Sequence, residues 1–164
     1  MINIIVAIDE NFGIGKENQL LVHIREDLNY FKEKTLGQIV VMGRKTYESL
    51  PYKPLKGRAN IVLSKSELEL SGTKMCKTVE EVLEYYSHEG AGRELFIIGG
   101  SSVYEAFLPF SQRLYITHIH KQFEADTFFP RFNSKWQEIS CEKNISVEND
   151  NLAFDFVVYE RDRI

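Results

Sequence analysis

Asp27 is the residue in this sequence best placed to do chemistry. Ile24, Leu28 and Phe31 recur at i, i+4 and i+7, a spacing that predicts one apolar helix face. Asp27 falls at i+3, on the same face. A carboxylate turned toward a core is costly unless partnered. Burial would raise its pKa and make it a proton carrier or a partner for a cationic group. Asp27 also reads as a first-turn acid favoured by the helix dipole, and the helix alone does not choose between the two.

Two further segments have the form strand, glycine, helix start. One is Ile39-Val40-Val41-Met42-Gly43-Arg44-Lys45-Thr46, the other Leu95-Phe96-Ile97-Ile98-Gly99-Gly100-Ser101-Ser102. The glycines admit close approach of a ligand to the backbone, and the helix start offers free N–H groups with a positive dipole end. Arg44 and Lys45 add charge, and Arg44 can grip a phosphate with two donors. Neither segment matches G-x-G-x-x-G or the Walker pattern, and each alone is equally a plain turn. The two together predict dinucleotide binding at the carboxyl ends of neighbouring strands. Lys56-Gly57-Arg58 is a third basic site, where Arg58 could bind a carboxylate; Ser64 and Lys65 could contact another phosphate. The bland reading of all these charges is solvated surface. His118 and His120 alternate on a strand without a third ligand nearby, so ordinary strand residues are expected and no metal site. Cys76 and Cys141 read as free thiols of a reducing cytoplasm.

The elements that must position these residues follow from apolar patterning. Runs at 4–8, 39–42, 60–63 and 95–98 read as strands buried on both faces. Amphipathic stretches at 25–34, 46–50, 79–86 and 103–108 read as helices between them. Strands alternating with helices predict an α/β fold with a mostly parallel sheet. After residue 108, three strands at 113–120, 138–143 and 154–160 follow without helices, which predicts antiparallel pairing at the C-terminal end. Residues 9–23 show little regular periodicity, and a loop of that length is often functional; with Gly13, Gly15 and the apolar Leu20, Leu21 and Val22 it reads as a lid. The net charge of −4 argues against general nucleic-acid affinity. The first residues read as a strand rather than a signal peptide, and no apolar run approaches a membrane span.

The chain resembles the dihydrofolate reductase family, of the bacterial chromosomal type, over nearly its whole length. The resemblance is carried by Ile4-Ile5-Val6-Ala7, Gly13-Ile14-Gly15-Lys16-Glu17-Asn18, Asp27-Leu28-Asn29-Tyr30-Phe31-Lys32 and Val41-Met42-Gly43-Arg44-Lys45-Thr46-Tyr47-Glu48-Ser49. It continues through Leu55-Lys56-Gly57-Arg58-Ala59-Asn60, Ile98-Gly99-Gly100, Tyr104-Glu105, Leu114-Tyr115-Ile116-Thr117 and Asp126-Thr127-Phe128-Phe129-Pro130. Order and spacing make the set specific where each piece is modest. The resemblance implies one α/β domain over residues 1–164. Its central sheet would be eight-stranded and mostly parallel with an antiparallel C-terminal strand, flanked by about four helices. It implies NADPH-dependent reduction of dihydrofolate to tetrahydrofolate, serving one-carbon metabolism, by a cytoplasmic monomer that antifolates inhibit.

The same resemblance implies roles for individual residues. Asp27 would anchor the pterin and promote N5 protonation through water, with Thr117 in support. Ile5, Ala7, Leu28, Phe31, Leu50, Leu55 and Ile98 would line the folate pocket, and Arg58 would hold the glutamate α-carboxylate. Cofactor contacts would come from Ala7, Ile14, Gly15, Asn18 and Leu20, from Gly43, Arg44, Lys45 and Thr46, and from Leu63, Ser64 and Lys65. Ile98, Gly99, Gly100, Ser101, Ser102, Val103 and Tyr104 would complete that set, with a cis peptide at Gly99-Gly100. Departures from the family pattern are Leu21-Val22 for Pro-Trp, Ala125 for a glycine, Ser102 for an arginine, and one extra residue around Pro51-Tyr52-Lys53-Pro54. Val22 cannot hydrogen-bond through its side chain, so weaker catalysis or altered inhibitor binding is expected there. Reductases of riboflavin biosynthesis share the fold and NADPH but lack the acid in D-L-x-x-F-K, so Asp27 with Phe31 argues against them. A ligand-binding protein without activity is the other reading, which the missing tryptophan suggests.

Overall fold

The computed structural model describes residues 1–67 and 69–161, so the last three residues of the expected domain lie outside the described residues. Strand β1 (Ile2–Ile8) leads into a hairpin of β2 (Gly13–Lys16) and β3 (Gln19–Leu20), then helix α1 (Arg25–Thr35). Strand β4 (Ile39–Gly43) runs into α2 (Arg44–Ser49), followed by β5 (Ala59–Leu63), β6 (Thr73–Cys76) and α3 (Val79–Glu89). Strand β7 (Leu95–Gly99) runs into α4 (Ser101–Phe107), and then come β8 (Arg113–Ile119), β9 (Thr127–Phe128), β10 (Trp136–Ser146) and β11 (Leu152–Arg161).

An eight-stranded sheet has the order β10-β11-β8-β1-β7-β4-β5-β6. From β8 to β6 the pairs are parallel; β11 runs antiparallel to both β8 and β10. This is the fold the sequence predicts. The β-branched runs explain it: Ile39, Val40, Val41 and Met42 are fully buried, as a parallel strand covered on both faces requires. On one face Ile4, Val6 and Ile8 pack with Val82 of α3 and Val103 and Phe107 of α4. On the other, Ile5, Val40, Met42, Phe96 and Tyr115 pack with Tyr47 of α2 and with Tyr30 and Phe31 of α1.

The structure corrects several expectations. Residues 9–23 are not an irregular loop: β2 and β3 form a hairpin that joins β9 in a second sheet of order β3-β2-β9. Glu17 and Asn18 at its tip both have positive φ, the backbone a two-residue type I′ turn needs. These strands are too short to show a period, and β9 lies far along the chain. Strand β6 was also unforeseen, being a short and partly exposed edge. Helices α2 and α4 each begin two residues earlier than the apolar pattern suggests, directly at the glycines Gly43 and Gly100. Leu28 is 44% exposed and not part of the inward face, which is instead Ile24, Asp27, Tyr30, Phe31 and Thr35.

Candidate active site

Asp27 sits in the first turn of α1, yet its side chain reaches the sheet. Thr117 Oγ1 of β8 donates to Asp27 Oδ1 at 2.6 Å, and Thr117 is buried. Burial pushes the Asp27 pKa up, and the Thr117 hydrogen bond only partly opposes it. No cation forms an ion pair with Asp27 among the described residues. Both sequence readings of Asp27 therefore hold in part: it is a first-turn acid, and it is desolvated.

Around it the sheet brings together most of the expected lining. Ala7 is registered beside Thr117 and Ile5 beside Tyr115. Phe31, Leu50, Leu55 and Ile98 pack partly buried on the cluster that contains Ile5. Leu28 stands outside these clusters with an exposed side chain. Val22 packs half-buried with Ala7, Tyr30 and Phe123 against Ile24 and Phe156. Arg58 lies at the far end of α1, where Nη1 donates to Thr35 Oγ1 at 3.2 Å and Nε to the Lys56 carbonyl at 2.9 Å. It has no carboxylate partner among the described residues, so a donor edge is left for an anion.

Beside this lies a cradle of backbone. Gly43 and Gly100 cap α2 and α4 without any side-chain hydrogen bond, so the first-turn N–H groups are free of capping. The strands that deliver them, β4 and β7, are neighbours, with Met42 registered to Gly99. Thr46 lies between: a Cβ at Gly99 would stand 3.3 Å from its Oγ1, and one at Gly100 3.5 Å. A Cβ on Gly43 would stand 3.2 Å from Val103 Cγ2. Side chains here would fill the groove, and their absence fits a phosphate chain lying against backbone. The Gly99-Gly100 peptide is cis, as the resemblance implied; Lys53-Pro54 is also cis, which was not foreseen. Tyr104 Oη donates to the Ile5 carbonyl at 2.9 Å, tying α4 to β1.

The basic residues are only partly free. Arg44 Nε is paired with Glu48 at 2.8 Å, one turn along α2. Lys45 and Lys65 are exposed, and Leu63, Ser64 and Lys65 sit at the carboxyl end of β5, with Leu63 registered to Gly43. The Ser101 hydroxyl donates to the Phe128 carbonyl at 2.8 Å, while Ser102 is exposed. His118 bonds Tyr159 and His120 bonds Asp155, each at 2.8 Å, and no metal-binding group of three occurs among the described residues.

The hairpin reaches over this region. Asn18 Nδ2 donates to the Lys45 carbonyl at 3.0 Å, and the Glu17 N–H to Asp126 Oδ2 at 2.9 Å. Ile14 and Gly15 are in β2, and Leu20 is exposed in β3. Its anchor was missed from sequence: Asp9, almost fully buried, accepts from the N–H groups of Asn11, Gly13 and Phe123. An aspartate two residues before a turn toward Gly13 is the only signal that could have shown it.

A family model described as dihydrofolate reductase matches residues 1–161. The chain belongs to the dihydrofolate reductase family. A relative of that name from Bacillus subtilis (strain 168) is 39% identical over 163 residues, covering 98% of this chain and 95% of that protein. Another from Staphylococcus haemolyticus is 36% identical, covering 99% and 96%. Among solved structures, dihydrofolate reductase from Enterococcus faecalis complexed with NADP(H) and RAB-propyl superposes with a TM-score of 0.90 at 36% identity, covering 99% and 97%. Dihydrofolate reductases are NADPH-dependent oxidoreductases.

Proposed function

We propose that this chain reduces 7,8-dihydrofolate to 5,6,7,8-tetrahydrofolate with NADPH, and that Asp27 is its acid. One observation carries the reading. It is a half-buried carboxylate without a cationic partner among the described residues, fixed at 2.6 Å by Thr117 on the face where Ile5, Ala7, Phe31, Leu50 and Leu55 gather. Such a group can accept from the 2-amino group and ring nitrogen of a pteridine. From Thr35, which Arg58 touches, back to Asp27 the helix spans about 12 Å. An extended folate laid along α1 meets a carboxylate at its pteridine end and a guanidinium at its glutamate end. Leu28, exposed on the same helix, offers apolar surface between them.

Bound NADPH supplies a hydride to pteridine C6. The chain's own part is placement and the proton. The N5–C6 double bond takes the hydride at carbon and a proton at nitrogen; Asp27, its pKa raised by burial, promotes that protonation through water. Thr117 holds the carboxylate toward the ring. Gly43, Thr46, Gly99 and Gly100 hold the phosphates, Ser101 through its N–H because its hydroxyl is engaged. Arg44, Ser64 and Lys65 take the 2′-phosphate, with Leu63, Ser102, Val103 and Tyr104 alongside. Ala7, Ile14 and Ile98 place the nicotinamide, and Gly15, Asn18 and Leu20 on the hairpin exclude water. In this reading residues 1–164 act as one domain in a reducing cytoplasm, where Cys76 and Cys141 stay free as they are here.

The test is loss of NADPH absorbance on adding dihydrofolate. Turnover is expected in the parent, and Asp27→Asn should lower kcat by about 10²- to 10⁴-fold, the range for general acid catalysis. Tight binding of both ligands with no turnover in the parent would favour a binding protein instead.

A further inference from the structure

Three residues of α1 touch the sheet at regular rungs. Asp27, Tyr30 and Lys34 follow i, i+3 and i+7, one face of a helix. Asp27 takes the hydrogen bond from Thr117 of β8. Tyr30 lies flat on Phe156 of β11, ring centroids 4.0 Å apart and planes 9° from parallel. Lys34 Nζ stands 5.4 Å from the Tyr30 ring and 5.8 Å from the Tyr115 ring.

These contacts close a loop. Phe156 is the residue of β11 registered opposite Thr117 of β8. Tyr30 therefore stacks on the cross-strand neighbour of the very residue that binds Asp27, about 4.5 Å along the helix from it. Phe156 is itself held edge-on by the fully buried Phe154, with centroids at 5.4 Å. The Thr117 hydrogen bond fixes one oxygen of the carboxylate, and the stacked ring one turn away fixes the part of the helix that carries it. The Tyr30 hydroxyl has no hydrogen-bond partner among the described residues, so the ring is the part in use.

We infer that the Tyr30–Phe156 stack, with Lys34 above it, is a positioning device that sets the Asp27 carboxylate against Thr117 and so against the substrate. Tyr30 does not touch the reacting atoms and acts through Asp27. The inference rests on the reading of Asp27 as the acid. The titratable groups that feel Asp27 most are Tyr30 on its own helix and Tyr104 of α4; burial pushes both of their pKa values up, so both stay neutral near pH 7. A misplacement of about 1 Å at a reacting group can cost on the order of 10²-fold in rate, so a loosened helix should show first in the chemical step.

The test is a double-mutant cycle on the single-turnover rate of hydride transfer, with dihydrofolate KM read separately. Tyr30→Leu should lower that rate about tenfold and move its pH break, while KM changes by less than about threefold. Tyr30→Phe keeps the stack and should recover most of the rate. In an Asp27→Asn background Tyr30→Leu should cost less than about twofold, because the group it positions is gone. Equal costs in both backgrounds, or a fall in thermal stability with no change in rate or pH break, would overturn the clamp and leave Asp27 as the acid. An Asp27→Asn protein as fast as the parent would defeat the acid reading and the clamp together. If Tyr30→Leu does not fold, Lys34→Met at the exposed end serves: about a threefold loss that vanishes with Asp27→Asn is expected, and additivity overturns the inference.

Discussion

At Asp27 burial sets the sign of every pH effect. Its folded pKa is raised above the ordinary 3.8, so ionising it costs folding energy. That group's contribution favours the fold most below pH 3.8 and is lost as pH rises through the raised value. Asp27→Asn should therefore melt at a higher temperature than the parent at pH 7, with the gap closing toward pH 3.8, as thermal scans across pH would show. An equal or lower Tm at pH 7 would mean the carboxylate is better solvated than its surroundings imply. Val22 is the other residue-scale question. It packs on the same buried cluster as Ala7 and Tyr30, and a tryptophan of the family pattern would bring an N–H donor. Val22→Trp should change kcat, KM and antifolate affinity; if steady-state kinetics and inhibitor titration find all three unchanged, this edge of the pocket does not matter. Asp27 was legible in sequence as a candidate from helical spacing, which left a first-turn acid equally open, and the resemblance singled it out. Leu28 was misread because the same spacing cannot tell a core face from the rim beside it. Asp9 and the Tyr30–Phe156 stack were not legible, since their partners are backbone or a residue more than a hundred positions away.

The lid hairpin is where element and sequence diverged most. Its strands are two and four residues long, and they gain order from β9 and from the Asp9 carboxylate rather than from a period. A Cβ on Gly13 would fall 2.6 Å from the Ala125 Cβ and 3.0 Å from both Asp9 carboxylate oxygens. Gly13→Ala should therefore destabilise the protein by about 1–3 kcal/mol, as overpacking does, and reduce turnover. Ala125→Gly should recover part of that loss, because the nearest contact goes while the Asp9 oxygens remain; denaturant melts of the two single variants and the double measure it. Full additivity would show that Ala125 is not what Gly13 avoids. At α2, Arg44 is expected to choose NADPH over NADH through its charge. The Glu48 partner must release or share it, so the preference should fall with added salt. Arg44→Ala should shrink the kcat/KM ratio for NADPH over NADH, and an unchanged ratio would remove Arg44 from that role. The glycine-to-helix junctions were legible from the strand, glycine, helix-start form of the two segments; the apolar pattern alone placed the helix starts two residues later, because caps without side chains leave no mark in it.

On the scale of the whole molecule, the sheet order does the assembly. Central strands with apolar runs on both faces declared themselves, whereas β6 did not, being a short and partly exposed edge, and β10 runs past its expected ends to the buried Trp136 and Ser146 through residues of mixed composition. The order places β4 beside β7 and β1 beside β8, so one side of the sheet gathers residues as distant in sequence as Asp27 and Thr117. Asp27 and the glycine junctions are thus positioned by elements packed on one sheet. The most direct test of this account is the single-turnover rate of hydride transfer from NADPH to dihydrofolate, followed against pH in the parent and in Asp27→Asn. The parent should hold a plateau at low pH and fall about tenfold per unit above a break that lies higher than 3.8. Asp27→Asn should be slower and show no such break. The same break in both proteins would contradict the assignment of Asp27 as the acid.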